Sequence, residues 1–395
     1  MKAKQIASEI HTMSIADLRL DDQIDAVTGK RIVVFGGGES AVDAARRLAQ
    51  PRLENEVFLS LRSGIRVSPR YHPIRGVPSD FLRNRLMLSI HPDLRNWIGQ
   101  RFVAARIRYQ RWFERVFPSR SSPHSDGDHA AANGLSEEDF QTRRSQWAIQ
   151  LTQQAKSNLF DMFHNKSDDF LDEVARGKIT IVGPSVDESQ RRFEPFGDST
   201  SDERPIMVAP EMIVPAIGYR SGVSELTDGK IAPQDFYQGC CHATHANLFL
   251  IGFARPVIGN IPTISEMQAR YVCGLIAGRW QRPADVESLH LQELAGLKKR
   301  FALLDLNAVY PVEMFPYCDE LAKRMKAYPS FWSLRSLRAW WRIQLEPATT
   351  LHYQCWKDNA PHDADDSTIY LPSILIALLL MLKPVDAIYR LVKRI

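Results

Sequence analysis

The segment from Arg31 to Ala49 constrains the fold of this chain more than any other part of the sequence. Four apolar residues, 32–35, form a run that is typical of a buried parallel strand. Glycines follow at 36 and 38 and alanine at 41, and apolar residues then recur at helical spacing. A strand, a glycine turn and a helix in this order predict an α/β fold with a Rossmann-like dinucleotide-binding domain on a parallel sheet.

The residue types in this turn suit a bound pyrophosphate. Gly36 allows a tight turn, Gly38 lets a phosphate approach the backbone, and Ala41 lets the helix pack closely on the strand. Free N–H groups at the start of the helix, where Glu39 and Ser40 lie, can bind the phosphates. The sequence therefore predicts a cofactor site formed by these five residues. The alternative is a glycine-rich turn that binds nothing.

The end of the next strand indicates which dinucleotide binds. Residues 57–61 form a second apolar strand, which ends in Arg62 and Ser63 without a carboxylate at its tip. A carboxylate at this position binds the ribose 2′-hydroxyl of NAD, whereas a cation accommodates the 2′-phosphate of NADP. Arg62, with Ser63 as a second donor, therefore favours NADPH over NADH. The alternative is a solvated arginine at the end of a strand.

Composition excludes several classes of protein. The 395 residues can form two domains or one large one, and 44% hydrophobic with 24% charged residues is ordinary for a soluble globular protein. A net charge of +4 does not indicate a nucleic-acid partner. Five cysteines without C-x-x-C spacing predict a reduced, cytosolic chain with no disulfide framework and no metal site. Adjacent Cys240 and Cys241 are either a redox-active pair or, as we favour, a structural one.

A later segment repeats the combination of strand, glycine turn and helix. Residues 247–251 are predicted to form a strand, and Gly259, Pro262 and Thr263 follow it. Thr263 and Glu266 have the spacing of a capping box, which predicts that Thr263 caps the next helix. The N-terminus of such a helix can face an anionic ligand. A well-capped helix with a purely structural role is the equal alternative.

The C-terminal segment 370–395 is predicted to associate with a membrane. Its residues 370–382 are apolar and uncharged, and the cations Lys383, Arg390 and Lys393 follow them. A run of this length is too short to span a bilayer, which takes about 20 residues. An in-plane or partly inserted anchor on the cytoplasmic side is therefore expected. The alternative is a C-terminal helix buried in the protein.

The order of these motifs resembles the flavin-containing monooxygenase family, from its NADPH-binding domain to its C-terminus. Residues 29–41 resemble the second dinucleotide motif of that family, and residues 57–64 resemble its strand and arginine for the 2′-phosphate. Residues 214–219 stand where the family has its linker motif, with Ile217 in place of a threonine. Residues 248–270 resemble the closing segment on the flavin side.

The resemblance implies an NADPH-dependent, FAD-containing oxidoreductase that uses O₂ to oxygenate a small nucleophilic nitrogen or sulfur compound, or a carbonyl compound. It implies that Arg62 holds NADPH and that Gly259, Pro262 and Thr263 lie near the flavin. It assigns no catalytic residue. The family's first glycine motif, which binds FAD, has no counterpart before residue 31, so a truncated enzyme is expected. The alternative is a catalytically incompetent NADP-binding remnant or subunit at a membrane.

The resemblance and the composition together predict an organisation in segments, with a helical C-terminal region. The segments are a leading segment (1–30), an NADPH-binding domain with a long helical insertion (30–210) and a flexible loop (119–139), a residual FAD-domain segment (211–290), a helical region (291–369) and the apolar tail (370–395).

Overall fold

In the computed structural model the protein has a mixed α/β fold with a helical C-terminal region, as predicted. The structure describes residues 10–18, 20–71, 77–109, 136–156, 158–197, 204–218, 222–334, 336–347, 349–353 and 369–393, without the side chains at 102, 106 and 107. Residues 119–135 of the predicted flexible loop lie outside the described residues. The remaining part of that loop is Ser136, which caps a helix, and the first turn of this helix.

The strands are β1 (His11–Thr12), β2 (Arg31–Phe35), β3 (Glu56–Ser60), β4 (Val67–Ser68), β5 (Asn165–Lys166), β6 (Ile179–Val182), β7 (Arg192–Phe193), β8 (Ile206–Met207), β9 (Met212–Pro215), β10 (Phe236–Tyr237), β11 (Cys241–His242), β12 (Ala254–Ile258) and β13 (Tyr310–Glu313). The α-helices are α1 (Asp21–Asp25), α2 (Glu39–Leu48), α3 (Arg85–Leu88), α4 (Pro92–Arg108), α5 (Glu137–Gln153), α6 (Phe170–Ala175), α7 (Gly222–Leu226), α8 (Ile261–Ile276), α9 (Val286–Arg300), α10 (Met314–Arg324), α11 (Phe331–Leu334), α12 (Leu337–Leu345) and α13 (Ser373–Lys393).

The main sheet is parallel throughout and has the strand order β1-β9-β2-β3-β6. Successive residues of β2 enter different cores, because side chains along a strand alternate between the two faces of the sheet. Ile32 and Val34 pack with α2 on one face, and Val33 packs with Phe58 and Phe193 on the other. Burial on both faces explains why residues 32–35 of β2 form an unbroken apolar run.

Strand β9 corrects one expectation from the sequence. Pro215 within the apolar run 212–217 predicts an edge or irregular strand, yet β9 lies inside the sheet between β1 and β2. The proline is tolerated because it is the last residue of the strand, and the pairing with β1 already stops at Ile213. Ala216 resumes hydrogen bonding by donating to the carbonyl of Phe35 at 2.8 Å.

The strand predicted at 247–251 is wrong. This segment forms an isolated bridge between Phe249 and Cys241, and the regular strand is β12, which pairs in parallel with β13. The partner of 247–251 is the two-residue strand β11, so the pairing ends before a regular strand can form. An apolar run alone therefore does not establish a regular strand.

Contacts divide the chain into two compact units. Unit 1 comprises 1–76, 103–156 and 164–218 and contains the main sheet. Unit 2 comprises 77–102, 157–163 and 219–395. Residues 77–102 thus group with unit 2, although the predicted NADPH-binding segment includes them. The predicted segment bounds otherwise stay predictions.

Candidate nucleotide site

The loop between β2 and α2 contains three consecutive glycines, and packing within the protein explains the first two. Gly36 has a φ of +131°, and a Cβ on it would overlap the carbonyl oxygen of Ala216. A Cβ on Gly37 would lie 2.8 Å from Cγ2 of Ile65. Larger residues at both positions therefore clash with the protein itself, whether or not a ligand binds.

Gly38 differs from its two neighbours. Its φ of −88° and ψ of 172° are open to any residue. Among the described residues, no atom beyond its chain neighbours lies within 4 Å of a Cβ built there. Gly38 is exposed and precedes α2, whose first N–H groups receive no side-chain cap. Free space beside an uncapped helix N-terminus is what a pyrophosphate requires, so the loop fits a dinucleotide.

The first residues of α2 occupy the positions that the sequence predicts. Ala41 is fully buried, and its Cβ would lie 3.5 Å from a Cβ on Gly36, which shows how closely the helix packs on the turn. Glu39 is half-buried in the first turn, where a carboxylate interacts favourably with the helix dipole. Ser40 is exposed. The cofactor roles of Glu39 and Ser40 stay predictions.

Arg62 lies at the same edge of the sheet as the glycine loop. Phe35 pairs with Ser60, and the N–H of Gly36 donates to the carbonyl of Ser60 at 3.2 Å. Arg62 follows two residues after this pair, is exposed, and forms no hydrogen bond or ion pair within the described part of the chain. Ser63 is half-buried beside it. An uncommitted guanidinium at this edge suits a phosphate group.

Two further cations near this loop were missed by reasoning from sequence. Arg66 is buried, and burial lowers the pKa of its guanidinium. Arg70 pairs with Asp43 of α2 at 3.0 Å and donates to the carbonyl of Lys166 at 3.0 Å. The side chain of Arg70 thus links β5 to α2. Arg62, by contrast, makes no such contact within the described residues.

The residues predicted on the flavin side are engaged by contacts within unit 2. A Cβ on Gly259, which has a φ of +126°, would overlap the side chain of Met314. The predicted capping box is wrong, because α8 begins at Ile261 and Asn260 Oδ1 accepts from the N–H of Thr263 at 2.9 Å. Pro262 has no N–H to offer to a ligand. The predicted cofactor contacts of Gly259, Pro262 and Thr263 stay predictions.

A buried glutamine that the sequence did not single out organises the turn before β12. Gln268 of α8 is fully buried, and its Oε1 accepts from the N–H of Gly252 at 3.0 Å. Its Nε2 donates to the carbonyl of Gly239 at 3.1 Å and to the hydroxyl of Tyr317 at 2.8 Å. The side chain of Gln268 thus links three segments of unit 2. Its position in the helical pattern of the sequence does not predict that role.

The adjacent cysteines are buried free thiols whose sulfur atoms lie 3.8 Å apart. The hydrogen bond with Cys241, together with burial, raises the pKa of Cys240 well above its ordinary value. A buried thiol with a raised pKa reacts slowly, which favours a structural role for Cys240. The same hydrogen bond lowers the pKa of Cys241, so the structural interpretation of the pair as a whole stays a prediction.

No protein-family model matches the chain. It shares sequence similarity with the 4-hydroxybenzoate brominases (decarboxylating) of Pseudoalteromonas luteoviolacea, 24% identical over 269 residues, and Marinomonas mediterranea, 24% identical over 267 residues. The matches cover 65% and 64% of this chain but only 43% and 42% of those proteins. The chain thus spans less than half the length of these relatives.

Solved structures with a similar fold include an oxidized steroid monooxygenase bound to NADP, with a TM-score of 0.44 and 15% identity over 80% of this chain and 68% of that chain. The OTEMO complex with FAD and NADP has a TM-score of 0.45 and 13% identity over 82% and 72% of the two chains. The S-allyl-L-cysteine S-oxygenase of Allium sativum has a TM-score of 0.36 and 12% identity over 80% and 48%.

Proposed function

We propose that this chain is an NADPH-dependent, FAD-containing monooxygenase-like oxidoreductase. One observation carries the proposal: the free space in front of Gly38 and the uncommitted Arg62 lie at the same edge of the parallel sheet. The first suits a pyrophosphate and the second a 2′-phosphate, and NADPH carries both groups. The motif resemblance supports the oxygenase class.

In this proposal the cofactors supply the redox chemistry, with NADPH as hydride donor and FAD passing electrons to O₂. The chain's own residues bind and orient NADPH: Gly38 admits the pyrophosphate, and Arg62 with Ser63 holds the 2′-phosphate. The substrate class is a small nucleophilic nitrogen or sulfur compound, or a carbonyl compound.

The Arg62→Ala variant tests the nucleotide assignment. We expect NADPH to bind about 5- to 150-fold more weakly, since a hydrogen-bonded charge contributes about 1–3 kcal/mol, while NADH binding stays the same. Titration calorimetry with both nucleotides measures the difference. Arg52→Ala is the matched control, because Arg52 pairs with Asp25 in the same unit and should leave both affinities unchanged. Equal losses for NADPH and NADH would contradict the assignment.

A second candidate is an NADP-binding protein that carries out no flavin chemistry. The contacts of the flavin-side residues favour it, because these residues are engaged within the protein. The side chain of Met314 fills the space beside Gly259. Asn260 accepts a hydrogen bond from the N–H of Thr263, and Gln268 accepts one from the N–H of Gly252. A visible spectrum of the protein after incubation with FAD and desalting separates the two candidates. Retained flavin supports the monooxygenase. A colourless protein that binds NADPH supports the second candidate.

We also propose that α13 lies on the cytoplasmic surface of a membrane. In the described part of the chain no helix is long and apolar enough to cross a bilayer. The polar side of α13 holds it to unit 2: Asp386 accepts from the N–H of His91 at 2.7 Å, and Lys383 donates to Ser89 Oγ at 2.6 Å. Asp386 is the buried residue of this helix, whereas much of its apolar side is exposed. An amphipathic helix in this orientation suits a lipid surface.

Charge on the apolar side of α13 should abolish membrane binding. Leu378 and Met381 are 49% and 72% exposed, so Leu378→Glu with Met381→Glu should leave the fold intact. We expect at least about tenfold less protein to sediment with vesicles containing anionic lipid, because carboxylates oppose both insertion and the lipid charge. Leu226→Glu, at a residue 89% exposed on α7, is the control. Absence of vesicle binding by the unaltered chain would refute the membrane proposal.

A further inference from the structure

Asn165 connects the two halves of the proposed nucleotide site. Its Nδ2 donates a 2.8 Å hydrogen bond to the carbonyl oxygen of Gly37, 128 positions earlier in the chain. Its backbone N–H donates to the carbonyl of Arg66 at 2.8 Å, in the segment that begins with Arg62. Asn165 is only 3% exposed, so its side chain is shielded from water.

The strand pair β4–β5 fixes the position of this asparagine. Val67 pairs with Asn165 and Ser68 with Lys166, and Ser68 Oγ lies 2.9 Å from Nδ1 of His164. The N–H of Ser167 continues the ladder by donating to Ser68 at 3.0 Å. Asn165 is therefore a fixed donor. The glycine loop that it contacts has little conformational preference of its own, because glycine populates both signs of φ.

Fixing the Gly37 carbonyl also fixes the next N–H group. The carbonyl of Gly37 and the N–H of Gly38 belong to one trans peptide plane, in which they point in opposite directions. The bond to Asn165 therefore turns the Gly38 N–H away from β5. This N–H makes no hydrogen bond within the described part of the chain, and Gly38 borders the free space in front of α2.

We propose that Asn165 is a positioning residue for the pyrophosphate of the dinucleotide. By holding the Gly37 carbonyl, it keeps the Gly38 N–H directed at the place where a phosphate oxygen would accept its hydrogen bond. The proposal rests on the NADPH site proposed above. It assigns the two residues to different phosphate groups. Asn165 supports binding of the pyrophosphate, which NADPH and NADH share, and Arg62 binds the 2′-phosphate, which only NADPH carries.

Binding of NADPH, NADH and 2′-AMP tests this assignment, because 2′-AMP carries a 2′-phosphate but no pyrophosphate. For Asn165→Ala we expect the Kd values of NADPH and NADH to rise by the same factor, about tenfold, and the Kd of 2′-AMP to stay the same. Arg62→Ala should show the complementary pattern, with NADPH and 2′-AMP weakened and NADH unchanged. Asn165→Asp keeps the size of the side chain but replaces the donor with a carboxylate, which repels the Gly37 carbonyl and the pyrophosphate, so it should weaken both dinucleotides at least as much as Asn165→Ala.

The control variant is Asn55→Ala in the same unit. Asn55 Nδ2 also donates to backbone carbonyls, those of Val27 at 2.8 Å and Leu48 at 3.0 Å, near the far end of α2. The Asn55→Ala variant should therefore have a lower melting temperature but unchanged affinities for the three nucleotides. Unchanged dinucleotide binding in both Asn165 variants, or an equal loss of 2′-AMP binding, would overturn the positioning role alone. An unaltered protein that binds neither NADPH nor 2′-AMP would overturn the NADPH site with it.

Discussion

Alanine at Gly36 is expected to destabilise the protein, whereas alanine at Gly38 is expected to spare the fold and weaken NADPH binding. At Gly36 the φ of +131° is unfavourable for alanine, and the new Cβ overlaps the backbone of Ala216. A strained backbone and an overpacked contact each cost about 1–3 kcal/mol. We therefore expect the free energy of unfolding to fall by about 3 kcal/mol, measured by urea denaturation.

Gly38→Ala should behave in the opposite way. Its backbone angles suit alanine and its Cβ meets no other part of the described chain, so stability should change by less than about 1 kcal/mol. The methyl group would occupy the space assigned to the pyrophosphate, and we expect NADPH to bind at least about tenfold more weakly. Gly296→Ala, at an exposed position of α9 with the same open surroundings, is the matched control. Normal NADPH binding by a folded Gly38→Ala protein would place the pyrophosphate elsewhere.

Removing Asp319 is expected to cost more stability than removing any surface acid. Arg85 of α3 and Asp319 of α10 form a buried ion pair at 2.9 Å, with side chains 4% and 15% exposed. The Tyr353 hydroxyl donates to the same carboxylate at 2.7 Å, and Arg85 also donates to the carbonyl of Ile343 at 3.2 Å. Asp319→Ala leaves the guanidinium buried without its counter-ion, which costs about 3–5 kcal/mol.

The adjacent residue of α10 provides the control for this prediction. Glu320 pairs with Arg324 at 3.3 Å, but its side chain is 45% exposed. Solvent screens this pair, so Glu320→Ala should lower the free energy of unfolding by less than about 1 kcal/mol. Chemical denaturation of both variants, followed by circular dichroism, gives the comparison. Similar losses for Asp319→Ala and Glu320→Ala would show that the buried network does not hold unit 2 together.

The sequence by itself determined the glycine loop between β2 and α2, because all of its parts are contiguous. Apolar residues in an unbroken run predicted β2, helical spacing predicted α2, and the glycines between them predicted the turn. Arg62 could be placed at the same edge, since parallel neighbours end on the same side of a sheet. Each inference depends on sterics and periodicity within a few residues, and these are visible along the chain.

Only the tertiary structure decided which distant groups meet. Asn165 reaches Gly37 across 128 positions and Arg85 reaches Asp319 across 234, and neither pair has a local signature. Pro215 is tolerated in an interior strand because β1 ends before it reaches the proline. The length of the neighbouring strand β1 decides this, and the proline itself does not indicate it. Local patterns determine which element forms. The path by which the chain returns on itself determines which donor meets which acceptor, and that path is a property of the whole fold.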